Sequence, residues 1–257
     1  QTDFFCSATP SAIQAGRLPS FSAEPWVPPE RSMDCSSAST SKAEAAVPDG
    51  EADYVNTQKC ADIYEAAEQG NVCAVRHFLH LDPGSLQRKD QGDGQTPLHW
   101  AAEKGHVSVV ELLMTSGASV EAEDAFGRTP LHWAAEFNKA KVVDSLLKSG
   151  ASLQVKSNSG NTALHWAARN GHAAMVEKLI TAGAEVGAAN NEGNTALHWA
   201  ARNGHAAVVE KLITAGAKVD AANNEGLTPL LLADGRPQVV ELLTSAKDGR
   251  MALPNTL

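Results

Sequence analysis

The chain is short of cysteine, has no long apolar run and carries no excess of positive charge. Four cysteines in 257 residues cannot build a disulfide scaffold. Cys6, Cys35, Cys60 and Cys73 form no C-x-x-C pair and are read as reduced thiols of a cytoplasmic or nuclear protein. No stretch approaches ~18 uninterrupted apolar residues, so no membrane-spanning helix is expected. The net charge is -9, from 30 acidic and 21 basic residues. Eight of those acids and three of the bases precede Thr57. Both parts are therefore acidic, neither has the basic stripe that phosphate neutralisation requires, and nucleic acid is excluded as an expected partner. The phosphate-binding loop G-x-x-x-x-G-K-[ST], the dinucleotide fingerprint G-x-G-x-x-G and the nucleophile elbow G-x-S-x-G are missing. Neither enzymatic activity nor a cofactor is expected. At 43% hydrophobic, the chain as a whole still has the composition of a folded protein.

What the chain has in abundance is repetition. Thr96-Pro97-Leu98-His99-Trp100-Ala101-Ala102 returns as Thr129 to Ala135, as Thr162 to Ala168 and as Thr195 to Ala201. A worn copy starts at Thr228, and successive threonines are 33 residues apart each time. The motif reads as the start of a helix. Threonine is a good N-cap, and proline suits the first helical position, where its missing N–H costs nothing. Leu98, Ala101 and Ala102 share one face, and the small alanines let neighbouring helices approach closely. Gly105 is expected to end this first helix in a left-handed conformation. Val109, Val110, Leu112 and Leu113 supply the apolar side of a second helix, and Gly117 follows it. Each unit is then two short helices and a turn. Such a unit cannot bury its apolar face alone, so stacking must stabilise it.

These residues resemble the ankyrin-repeat family over about residues 59–247. Gly105-His106, Gly171-His172 and Gly204-His205 between the helices match it, as do Gly117-Ala118, Gly150-Ala151, Gly183-Ala184 and Gly216-Ala217 after the second helix. The resemblance implies an all-α solenoid of helix-turn-helix units joined by β-hairpin-like loops. Six units are placed, at 59–90, 91–123, 124–156, 157–189, 190–222 and 223–246, together forming a domain over 59–248. The first is degenerate, with Glu65 where later units have Trp, as suits a capping unit. In the last, Gly235 and Pro237 shorten the first helix. Units four and five differ only at Met175/Val208, Glu185/Lys218 and Gly187/Asp220 between Asn161–Asn190 and Asn194–Asn223. That near-identity is either a useful repeated surface or a recent duplication, and the second is the plainer reading.

Residues 1–58 hold six of the twelve prolines and a scatter of Ser, Thr and Ala without period. They read as a disordered tail, in which Phe4, Phe5, Phe21 and Trp26 are a candidate docking motif, although an inert tail is the plainer reading. Residues 249–257 are expected to be flexible. The sequence opens on Gln1 rather than Met, which we read as a fragment or an incomplete gene model, with Met33 as an alternative start.

Nine histidines invite a metal reading, but seven of them sit in two repeat rows. Equivalent residues of stacked helices stand about 8–10 Å apart, whereas the ligands of one metal ion lie within about 2 Å of it. No metal site is expected. In the family, His99, His132, His165 and His198 would be structural linkers to the motif threonine and the adjacent turn. The Asn that many family members carry after the second helix, a hydroxylation position, is Glu121, Gln154, Gly187 and Asp220 here, so that modification is not expected.

The informative departure is Trp100, Trp133, Trp166 and Trp199, where the family more often has a smaller aliphatic. Each lies ~200° round the helix from the core leucine. It groups instead with residues three and four further on: Glu103 and Lys104, Glu136 and Phe137, Arg169 and Asn170, Arg202 and Asn203. The resemblance places this helix face in a concave groove that binds protein partners. Two roles stay open for the indoles, anchors for a partner or flat packing as a wall of the stack. Loop tips add Ala125, Phe126, Arg128, Asn158, Ser159, Asn161, Asn191, Glu192, Asn194, Asn224, Glu225 and Leu227. Along the groove the charge passes from acidic (Glu65, Glu68, Glu103, Glu136) to basic (Arg169, Arg202). The expected function is a monomeric, non-enzymatic adaptor or scaffold that binds a protein. The alternatives are the recognition portion of a larger enzyme or membrane protein, and an assembly chaperone.

Overall fold

A computed structural model describes residues 60–249. The expected disordered tail, its aromatic docking motif, Cys6, Cys35, Met33 and residues 250–257 lie outside the described residues. The described residues form twelve α-helices in six pairs, and no strand. They are α1 (Ile63–Gln69) and α2 (Val72–Leu81), α3 (Pro97–Lys104) and α4 (Val107–Thr115), α5 (Pro130–Glu136) and α6 (Ala140–Lys148), α7 (Ala163–Arg169) and α8 (Ala173–Thr181), α9 (Ala196–Asn203) and α10 (Ala206–Thr214), and α11 (Pro229–Leu232) and α12 (Pro237–Lys247). A 3-10 turn over Pro83–Gln87 follows α2. The loops between pairs are closed by single backbone bonds such as Asp124 to Arg128 and Asn190 to Asn194. The hairpin-like character of these loops extends only to one isolated bridge, Ala189 with Thr195.

The elements begin and end for local reasons. Thr96, Thr129, Thr162 and Thr195 are extended N-caps. Gly105 closes α3 at φ 90°, which a side-chain-bearing residue adopts only with strain. In the third unit the same post is held by Asn138 at φ 57°, the one non-glycine with positive φ among the described residues. Asparagine tolerates that region better than other residues. The last first-helix, α11, is four residues long. Asp234 and Gly235 stand where longer units continue the helix.

First helices pack on first helices in order, from α1 against α3 to α9 against α11, and each packs on its own second helix. The alanine pairs 101–102, 134–135, 167–168 and 200–201 are fully buried there. Val109, Val110, Leu113 and their counterparts Val142, Val143, Leu146, Met175, Val176, Leu179, Val208, Val209 and Leu212 line the core from the second helices. Burying such aliphatics is worth about 1.5–3 kcal/mol each, and the burial requires a neighbour on either side.

Two histidine rows bolt the units in opposite directions. His99 Nδ1 accepts the Thr96 backbone N–H at 3.1 Å and lies 2.9 Å from the Thr96 hydroxyl, while Nε2 donates to the Arg128 carbonyl of the next unit at 3.0 Å. His132, His165 and His198 repeat this toward Asn161, Asn194 and Leu227. Because an N–H faces Nδ1, these rings are neutral and protonated on Nε2. Burial pushes His99, His132 and His165 down to about 4 from an ordinary 6.5, and His198 is lowered for the same reason. The second row points backward. His106, His172 and His205 donate from Nε2 to the carbonyls of Glu68, Glu136 and Arg169 in the preceding unit.

Candidate functional site

With the leucines and alanines of the first helices turned inward, the residue after the motif histidine is turned the other way. Trp100, Trp133, Trp166 and Trp199 thus form a row along α3, α5, α7 and α9. Arginines interleave with them. The Arg128 guanidinium lies 3.8 Å from the Trp133 ring centre, 4.9 Å from Phe126 and 5.9 Å from Trp166. Arg169 stands 5.3 Å from both Trp166 and Trp199, and Arg202 is 5.8 Å from Trp199. Lys104 covers Trp100 at 5.7 Å. Trp133 also stacks on Phe137, with ring centres 5.9 Å apart and planes within 6°. Each cation over a ring contributes about 0.5–1 kcal/mol at an exposed site. The row is therefore both wall and surface. Trp133 is only 7% exposed, less than expected for a groove anchor, because Arg128 and Phe137 enclose it. Trp100, Trp166 and Trp199 stay partly exposed.

The indole N–H groups divide the row in two. Trp100 Nε1 donates to Asp90 at 2.9 Å, and Trp133 Nε1 to Asp124 at 3.0 Å. At the same place in the loops before α7 and α9 stand Ser157 and Asn190. There the buried indole N–H groups of Trp166 and Trp199 have no hydrogen-bond partner among the described residues. The serine is too short, and the Asn190 side-chain oxygen already accepts the backbone N–H groups of Glu192 and Asn194. An unsatisfied buried donor costs about 1–3 kcal/mol. In the sequence, the only mark of the Trp133–Asp124 bond is the acid nine residues before Trp133.

The charges are also distributed unevenly. Lys104 bridges Glu68 at 3.1 Å and Glu103 at 3.0 Å, and those bonds hold its ammonium above the usual lysine range. Arg128 binds Asp124 at 2.9 Å and approaches Glu136 at 3.7 Å. Burial raises the Glu136 carboxyl, against the pull of Arg128 and Arg169. Glu65 serves its own helix start, accepting the Ala61 N–H at 2.6 Å and the Gln69 amide. The acidic end of the row is thus largely compensated within the chain. Arg169 and Arg202 are exposed and have no carboxylate within ion-pair distance among the described residues.

Other expected site residues hold the stack together. Asn170 and Asn203 donate to the carbonyls of Glu136 and Arg169. Asn158, Asn191 and Asn224 each donate to the preceding loop, at Ala125, Asn158 and Asn191. Asn161 and Asn194 are buried and accept the Asn190 and Asn223 amides, so these two loop residues are internal links rather than tips. Phe126 and Phe137 remain accessible, at 50% and 43% exposure.

Among the described residues no group of three His, Cys, Asp or Glu side chains is placed to hold a metal. No described helix is long and apolar enough to cross a membrane. Cys60 is buried beside Gln69 and Asn71, and burial raises its thiol, the opposite of what a nucleophile needs. The hollows on the opposite side are furrows between successive second helices, flanked by the ion pairs Lys178–Asp144 and Lys211–Glu177.

Comparison with known proteins agrees with this architecture. The family model described as ankyrin repeats (3 copies) matches residues 63–157, 116–190, 140–223 and 164–251. The chain is similar to human scaffold protein ILK, 39% identical over 59 residues, covering 23% of this chain and 13% of that protein. It is similar to the probable E3 ubiquitin-protein ligase XBOS33 of rice, 36% identical over 62 residues (24% and 12%). It is also similar to the serine/threonine-protein kinase VIK of Arabidopsis thaliana, 41% identical over 58 residues (23% and 13%). The matches thus span about an eighth of the length of these relatives. Ankyrin repeats are generally non-catalytic modules of protein interaction. With paired helices, repeated caps and the model matches all in register, the chain belongs to the ankyrin-repeat family.

Proposed function

We propose that the chain acts as a non-enzymatic adaptor or scaffold, binding a partner protein through the first-helix face and the loop tips. One observation carries the reading. On a stack whose polar groups are mostly bonded to one another, this face keeps exposed Phe126 and Phe137, three partly exposed indoles and two arginines outside any ion pair among the described residues. Aromatic residues and arginine are enriched at binding hot spots. Such a surface is held rigid before binding, so little ordering cost is added on association. The names of the kinase and ligase relatives favour a second reading, in which the same surface recruits substrates to a larger enzyme. The test is affinity capture with the full chain, compared with Phe126→Ala/Phe137→Ala and with Glu210→Lys on the opposite side. A partner lost with the phenylalanines and kept with Glu210→Lys is the expected result. A partner indifferent to both would remove the proposal.

A further inference from the structure

Charge pairing along the stack fails in one place. Between second helices, a basic residue of one unit meets an acid of the unit before it: Lys178 with Asp144 at 2.6 Å, Lys211 with Glu177 at 2.5 Å. On the first-helix face Lys104 meets Glu68 in the same way, but Arg169 and Arg202, two cations in register one repeat apart, have no acid within ion-pair distance among the described residues; Glu136 of the preceding unit feels Arg169 from farther off and lies closer to Arg128. Each guanidinium rests on indole, Arg169 between Trp166 and Trp199 and Arg202 beside Trp199. A ring contact on a guanidinium face leaves its edge N–H donors available. Those donors match the two oxygens of a carboxylate.

We propose that the face of α7 and α9 binds an extended acidic segment of the partner, with one carboxylate on Arg169 and a second, three residues along, on Arg202. The spacing follows from two lengths. Packed helices are about 8–10 Å apart, and a chain extended as a polyproline II helix advances about 3.1 Å per residue and brings every third side chain back to the same side. Three residues therefore span one repeat, and an acid-x-x-acid pattern places both carboxylates in register. The segment's apolar side chains then lie along Trp166 and Trp199. Toward the other end, Phe126 and Phe137 offer an uncharged landing, and Glu136 beside them disfavours a third acid. The inference rests on the first-helix face being the binding surface.

The test is selection of random dodecapeptides displayed on phage against the full chain, followed by fluorescence anisotropy of the labelled winners. Expected winners carry Asp or Glu three apart and bind the Arg169→Gln/Arg202→Gln variant about tenfold more weakly. Raising salt from about 0.05 to 0.5 M should weaken them comparably. Both arginines are exposed but cover indole rings, so the far-UV circular dichroism of the double variant should match the parent, while its melting temperature falls modestly and leaves it folded at the assay temperature. Failure to select any peptide, winners without the acidic pair, or winners that bind parent and variant equally would overturn the proposal. Winners that lose affinity with Phe126→Ala/Phe137→Ala but not with the arginine variant reject the acidic segment alone. Winners insensitive to both sets also reject the binding face itself.

Discussion

The buried motif histidines should make this stack unfold in mild acid. His99, His132 and His165 titrate near 4 when folded and near 6.5 when exposed. The folded state therefore binds fewer protons than the unfolded state between those limits. Stability is fully present above about pH 6.5 and falls as the pH drops toward 4. For one such ring the loss between pH 7.5 and pH 5 is about 2 kcal/mol, and three independent rings lose roughly 6. A domain has only about 5–15 kcal/mol in total. Burial is the main cause, and geometry reinforces it: protonation would put a hydrogen on Nδ1, against the N–H of Thr96, Thr129 or Thr162. Urea melts by circular dichroism at pH 7.5, 6 and 5 should show the midpoint falling steeply. His165→Gln should lower the midpoint at pH 7.5 and flatten the pH dependence by about a third. Resonances assigned to His99, His132 or His165 that titrate near 6.5 in the folded protein, or a midpoint unchanged from pH 7.5 to 5, would refute the argument.

Three further outcomes follow from the same contacts. Ser157→Asp should stabilise by about 1 kcal/mol, because its carboxylate would accept the buried Trp166 N–H as Asp124 accepts that of Trp133; thermal melts at pH 7 check this. Trp133→Ala should destabilise by about 3–5 kcal/mol and uncover Arg128, so its denaturation midpoint should fall whether or not it binds a partner. Gly160→Ala should cost at least about 1–2 kcal/mol, since φ is +80° and a Cβ there would stand 2.6 Å from the Asn191 nitrogen; hydrogen exchange should report loosening of the loops at Ser157–Asn161 and Asn190–Asn194.

Much of the fold was legible because each unit repeats the same local instructions. Threonine caps, a leucine with two alanines, and a glycine after the helix recur at a constant spacing, so a weak signal at one place is read four times. The direction of Trp100 and its relatives followed from helical geometry alone, and so did their grouping with Glu103, Glu136, Arg169 and Arg202. What periodicity could not convey was pairing. Asp90 and Asp124 lie in loops, ten and nine residues before the indoles they bind, and nothing in the helix pattern links them. Arg128 looked like a loop-tip residue, yet it is enclosed by Asp124, Glu136 and Trp133. Asn161 and Asn194 looked equally available, but adjacent loops approach closely enough for asparagine to bond asparagine.

These unseen pairings also separate what stabilises the stack from what it can offer a partner. A polar side chain in a repeat has three possible correspondents: its own loop, the neighbouring unit, or something outside. The motif histidines, Asn158, Asn191 and Asn224 engage their neighbours, and Asp124 engages its own unit. A substitution at any of these changes folding first. Arg169 and Arg202 touch aromatic faces and form no ion pair among the described residues, and a ring contact does not neutralise a cation. Units four and five thus combine unbonded indole donors with exposed positive charge, whereas units two and three spend equivalent groups on Asp90, Asp124 and Glu103. The near-copies are the less self-sufficient half of the stack: their indole N–H groups are sealed from any partner, but an external acid would give Arg169 and Arg202 the counter-charge that Glu68 and Glu103 give Lys104.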